Sequence, residues 1–208
     1  MSFENISGTT KFSEYLVEYN GLNKRGFKEW AFYPGMLFRS HEKWWGNRGK
    51  REWPHEGLDM CVYRDESGTT RTLDVHTKIP VIYEGKIVRI IDDFIGKTLC
   101  VTHNIHDGRG NILLSIYGHI EPGDGMSEGA EIREGAMVAL IKDVHKKKEK
   151  MLPHVHISIA WIPQSLCYDE LDWDTISNAR FVVLMNPIDF ITSHYTILTP
   201  MKIEEYAL

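Results

Sequence analysis

Long apolar runs are missing from this chain of 208 residues. No stretch of about eighteen apolar residues occurs, which excludes a membrane-spanning helix. The opening MSFENISGTTKFSEYLVEYN has no basic segment followed by an apolar one, so no signal peptide is visible. As written, the chain reads as cytoplasmic; with a leader removed, it would be periplasmic or extracellular. Cysteine is scarce. Cys61, Cys100 and Cys167 are odd in number and lack C-x-x-C spacing, which excludes a disulfide framework. Cys61 and Cys100 sit in apolar, strand-like runs and read as buried thiols, which suits a reducing compartment. An excess of positive charge is also missing. With 24 basic against 29 acidic residues the net charge is -5, which argues against nucleic acid as a partner. The one basic run, Lys146, Lys147, Lys148 and Lys150, reads as a solvated loop, with contact to an anionic substrate or polymer as the alternative. Neither a fixed-period repeat nor a low-complexity segment is present.

What is there suits a globular fold. Apolar residues make up 42% of the chain, enough for one large core without disulfides. Phe12, Tyr15, Leu16 and Tyr19 recur at helical spacing and end at Gly21, which predicts a short amphipathic helix. Trp44, Trp45 and Trp53 lie in a turn-rich stretch expected to pack over something, as core, loop or groove lining. From residue 57 the pattern becomes short strands: 58–63, two runs within 80–91 broken at Glu84-Gly85 as a hairpin or bulge, 98–104, 111–120, 137–143 and 154–161. DGRG at 107–110 marks a hairpin turn. A helix is expected in LDWDTISNARF, and a proline-marked turn at 186–191. The expected fold is mainly β, an antiparallel sandwich or open barrel with short helical or irregular extensions at both ends. Its parts are an N-terminal extension at 1–35, a β domain at 36–191 and a tail at 192–208.

Three strings carry chemistry: HEGLD at 55–59, YGH at 117–119 and HVH at 154–156. Alternate strand residues share a face, so His154, His156 and Ser158 point one way and Val155 and Ile157 the other. That polar face either meets water or places two imidazoles beside a metal. His55 and Asp59, four apart, lie on one side of a helix or strand. Two imidazoles and one carboxylate leave a fourth position for water, the layout of catalytic zinc rather than a closed structural site. Of the ten histidines, His41, His76, His106, His145 and His194 have no patterned partner and read as surface or structural residues.

At these strings the sequence resembles the lysostaphin-type zinc metallopeptidases, a family of peptidoglycan endopeptidases. The likeness runs in order from about Gly46 to Ile191: HEGLD, IPVIYEGKIVRI, LCVTHN with SIYGHI, EGAEIREGAMVALI, HVHISI and NPIDFI. The resemblance implies a Zn²⁺ ion held by His55, Asp59 and the second histidine of HVH, His156. It implies two catalytic histidines, His119 and His154, beside a metal-activated water. One would take the proton of that water and the other would hydrogen-bond the developing oxyanion. His103 matches a recurrent family histidine and is expected to be structural or to support the ligands from behind. The chain differs from the family in the long basic segment KDVHKKKEKMLP before HVH, and in Ser158 or Ile159 where the family has Glu. The implied activity is a zinc-dependent metalloendopeptidase acting on peptidoglycan cross-links or stem peptides. Two other readings are a regulatory binding module on the same fold and a zinc hydrolase with an intracellular, non-wall substrate.

Overall fold

A computed structural model describes residues 10–143, 151–177, 180, 182–192 and 194–199. The basic run, together with His145, lies outside the described residues. The chain is mainly β, with most of its strands in one large, mostly antiparallel sheet and the rest in a smaller one.

Helix α1 (Phe12–Tyr19) buries Phe12 and Leu16, four residues apart on one face, and the turn after it is made by Gly21 at φ 60°. Strand β1 (Phe27–Phe32) follows, then a long irregular segment that contains the tryptophan-rich stretch. Strands β2 (Leu58–Met60) and β3 (Val62–Asp65) come from one apolar run, yet they belong to different sheets. The single strand expected at 58–63 is therefore divided at Cys61. A continuous buried run does not register a change of sheet, because both halves remain buried. Next come β4 (Thr70–Thr72), β5 (Lys78–Pro80), β6 (Gly85–Asp93), β7 (Gly96–His106) and β8 (Asn111–Pro122). The chain continues through β9 (Glu131–Ile132), β10 (Met137–Ile141), β11 (Val155–Pro163), α2 (Trp173–Ser177), β12 (Val183–Met185), α3 (Ile188–Ile191) and β13 (Tyr195–Ile197).

The small sheet has the order β13-β1-β3-β4, with β13 parallel to β1, so the segments flanking 36–191 each supply a strand to it. The large sheet runs β12-β11-β8-β7-β6-β9, with β2 also on β11, and β10 joining β8 to β5. The expected break at Glu84-Gly85 is present, but its two flanking strands do not pair with each other. Strand β5 pairs with β10, and β6 pairs with β7 and β9. Gly85 serves a close approach rather than a hairpin turn: a side chain there would collide with the Thr102 carbonyl and lie 2.8 Å from His103 Nδ1. Among the described residues no helix is long and apolar enough to cross a membrane.

The central strands are covered on both faces, which accounts for their nearly continuous apolar runs. Leu113 and Tyr117 of β8, with Val155, Ile157 and Trp161 of β11, join the main core beside Trp30, Phe32 and Tyr63. The opposite face of the same strands, with Cys100, Leu114, Ile116, Ala160 and Ile162, packs under Leu171, Ile176 and Val182. Thr175 N–H donates to Asp172 Oδ1 (2.7 Å), which satisfies a free donor at the start of α2.

One polar chain crosses the main core. His103 Nδ1 lies 2.9 Å from the Glu84 carbonyl, which can only accept, so the proton is on Nδ1. His103 Nε2 then accepts from Ser115 Oγ at 2.8 Å. The Ser115 hydroxyl also lies 3.1 Å from the Tyr117 hydroxyl, to which the Ile82 N–H donates at 2.9 Å. Burial pushes the His103 imidazole down from 6.5 to about 4, although the Glu84 carbonyl bond favours protonation. The unfolded chain therefore binds more protons than the folded one between those values, and stability is lost as pH falls through that window. The loss is at most about 3 kcal/mol. Chemical denaturation at pH 7 and pH 4.5 checks this: the wild type should lose more stability on acidification than His103→Gln, and equal losses would refute the assignment.

Candidate metal centre

The strand register brings the three histidine-bearing strings together. Asp59 of β2 stands directly opposite His156 of β11, and His156 stands opposite Gly118 of β8. His55 precedes β2 and is fixed by its main chain. Its N–H donates to the Ser40 carbonyl (3.0 Å), and its carbonyl accepts from Arg39 N–H (2.8 Å). The His55, Asp59, His154 and His156 side chains are all nearly closed to solvent, and His119 is about as buried.

Three donor atoms converge. His55 Nε2 lies 3.1 Å from Asp59 Oδ1 and 3.1 Å from His156 Nδ1, and His156 Nδ1 lies 2.9 Å from Asp59 Oδ1. His55 Nδ1 faces the Leu37 carbonyl at 3.1 Å and so carries the proton, leaving a lone pair on Nε2. His156 Nε2 meets the buried Ser158 hydroxyl at 2.9 Å. That hydroxyl can donate or accept, so it leaves His156 Nδ1 free to take either form. Four-coordinate zinc with ligands at about 2.0–2.1 Å separates them by about 3.4 Å, close to the spacing of these three atoms. The donor set of two imidazoles and one carboxylate fits zinc, and a cation relieves the crowding of lone pairs.

The carboxylate is held ionised. Burial alone would raise the Asp59 pKa, but His55, His156 and His154 outweigh it and hold the group well below the usual carboxylate range. The far oxygen, Oδ2, accepts from Trp44 Nε1–H at 2.7 Å and lies 3.4 Å from Arg51 Nη2. Those partners occupy Oδ2 and leave Oδ1 to the centre.

Two more histidines flank this set. His154 Nδ1 donates to the Leu152 carbonyl (2.9 Å), and its Nε2 is 3.9 Å from Asp59 Oδ1. Burial pushes the His154 imidazole down to about 3, with Asp59 pulling the other way, so the ring is neutral at physiological pH with a lone pair on Nε2. His119 sits where β8 changes partner. β8 pairs with β11 up to Gly118 and with β10 from Ile120, and its register against β7 shifts between Leu99 and Lys97. His119 has φ 62°, a left-handed conformation that is uncommon for a residue with a side chain and recurs at bulges beside functional sites. Its Nδ1 is 2.8 Å from Asp93 Oδ2, and its ring lies 4.9 Å from that of His154 between centroids.

All five sequence-predicted residues thus line one cavity of about 420 Å³, with Trp45, Phe94, Met151 and Trp173 among its walls. His103 lies elsewhere, in the core chain described above. His41, His76, His106 and His194 are exposed. Sequence reasoning missed Asp93, Arg51, Ser158 as partner of His156, and the role of Trp44. The tryptophan-rich stretch signalled packing, but nothing local linked it to Asp59.

No family model matches the chain, and no curated protein does. Among solved structures, it is similar to the solution structure of lysostaphin at 18% identity and TM-score 0.39, over 55% of this chain and 39% of that one. It is similar to Helicobacter pylori Csd3 at 14% identity and TM-score 0.44, over 81% of this chain and 35% of that one. A third likeness is to a mutant catalytic domain of the prophage-encoded protein EnpA from Enterococcus faecalis, at 18% identity and TM-score 0.37, over 63% of this chain and 85% of that one. The chain thus spans well under half the length of the first two.

Gly57 makes room for the ring of His156. A side chain there would collide with the Ile157 carbonyl and lie 2.7 Å from both His156 Nε2 and Ser158 Oγ. Gly57→Ala should therefore cost about 1–3 kcal/mol of stability and at least tenfold in zinc affinity, read by denaturation and by metal titration. Unchanged affinity would show that β11 yields without moving His156.

Proposed function

We propose that this protein is a zinc-dependent peptidase that hydrolyses peptide bonds of peptidoglycan, in cross-links or stem peptides. The observation that carries the reading is the convergence of His55 Nε2, Asp59 Oδ1 and His156 Nδ1 at a cavity flanked by two further histidines. The motif order that resembles the lysostaphin-type enzymes supports the choice of substrate.

In this reading His55, Asp59 and His156 hold the zinc ion. Zinc supplies Lewis acidity, which acidifies water to a pKa of about 7 and polarises a carbonyl. Asp59 contributes the single negative charge of the ligand set, so the centre keeps a net positive charge. His154 offers Nε2, whose lone pair accepts a hydrogen bond or a proton at the same place. His119 stands beside it. One of the two removes a proton from water, and the other steadies charge developing on the scissile carbonyl oxygen. Trp45, Phe94 and Trp173 line the cavity with aromatic surface, which limits the water around the reacting groups.

Elemental analysis and wall-digestion assays test the reading. The wild type should contain one zinc per chain and release fragments from purified peptidoglycan. His156→Ala should lose the metal. His119→Ala should keep it while turnover falls about 10²–10⁴-fold. Bound zinc without cleavage of peptidoglycan would reject the proposed substrate, and equal zinc loss in both variants would reject the division of roles.

A further inference from the structure

Asp93, at the last position of β6, is tied to His119 twice. Its Oδ2 lies at ion-pair distance, 2.8 Å, from His119 Nδ1, off the line of a ring hydrogen bond, and this buried nitrogen has no other partner among the described residues. The same oxygen accepts from the His119 backbone N–H at 3.4 Å. The second contact is unusual for a residue within a strand. His119 lies where β8 has left β11 and has not yet joined β10, so its N–H is served by a side chain. The carboxylate is itself fixed. Oδ1 accepts from the Phe94 N–H at 2.6 Å, and Oδ2 also accepts from the Thr98 hydroxyl at 3.2 Å. Only 3% of the Asp93 side chain is exposed. The Phe94 ring packs edge-on against the His119 ring, with centroids 5.0 Å apart.

We infer that Asp93 is a positioning residue for His119: it fixes the left-handed backbone at the strand junction and holds the ring with Nδ1 turned away from the metal centre. A carboxylate this close to Nδ1 favours a proton there electrostatically, which selects the Nδ1–H tautomer and leaves the lone pair on Nε2. A third group that orients a catalytic imidazole in this way fixes both tautomer and direction. Burial works against ionisation of Asp93, but the His119 contacts and the Phe94 and Thr98 bonds prevail and keep the carboxyl below its usual range. The inference rests on the peptidase reading for its kinetic consequence, and on geometry alone for its structural one.

The two are tested separately. In the metal-free protein at pH 8, ring ¹⁵N and ¹³C shifts of His119 should report the Nδ1–H tautomer, and Asp93→Asn and Asp93→Ala should shift it towards Nε2–H. With zinc bound, both variants should lose about 10–100-fold in kcat, with KM and zinc content within about twofold of wild type. Asp93→Asn preserves the size of the side chain, so a melting temperature close to wild type separates positioning from misfolding. An unchanged tautomer in both variants would overturn the inference, as would a kcat loss fully explained by lost zinc. If the wild type cleaves no peptidoglycan, the proposed function falls, while the tautomer measurement still decides the role of Asp93.

Discussion

A carboxylate closed off from water constrains everything around it, and here that carboxylate is Asp59. A buried, ionised group is tolerable only when each oxygen has partners. One oxygen is served by Trp44 and Arg51, from the long segment that follows β1. The other meets His55 and His156. That division explains why an irregular, aromatic segment is held against the sheet edge: without the indole and guanidinium, Oδ2 would be buried unpaired. It also explains why β2 is a separate short strand. Pairing with β11 sets Asp59 opposite His156, after which the chain leaves the large sheet at Cys61 to build the small one.

The histidine-bearing strings were legible in part because some of them act locally. The alternation in HVH put two imidazoles on one face before any tertiary contact is considered, whereas His55 lies in irregular backbone before β2 and is brought to Asp59 by main-chain bonds to Arg39 and Ser40 rather than by a shared strand face. The strand-rich pattern from residue 57 also announced the fold class, and the turn at 107–110 announced the β7–β8 hairpin. Other features had no local signal. Asp93 reaches His119 only through the closed end of the β6–β7 hairpin and the pairing of β7 with β8. The change of sheet at Cys61 leaves the run of buried residues unbroken. The Glu84-Gly85 break looked like a turn because glycine serves turns and close approaches alike; contact of Gly85 with the Thr102 carbonyl decides between them.

Ser158 orients the His156 ring without prescribing its tautomer. A carboxylate beside His156 Nε2 would only accept, which prescribes one tautomer. The hydroxyl that stands there works in both directions, so the ring is oriented without its proton being assigned. Space for this pair comes from Gly57, just before β2.

The parting of β10 and β11 along one edge of β8 makes the sheet fork at His119. The elements around the fork carry different duties. The β11 prong, with β2, bears Asp59 and His156, and His55 joins them from the segment just before β2. The β6–β7 hairpin end bears Asp92, Asp93 and Phe94, which line the cavity beside His119. Changes in length or sequence at that hairpin end reshape the approach to the cavity while the register of Asp59 against His156 stays untouched. The architecture is thus modular at a single residue, with an anchoring side and a side whose changes leave the anchor in place.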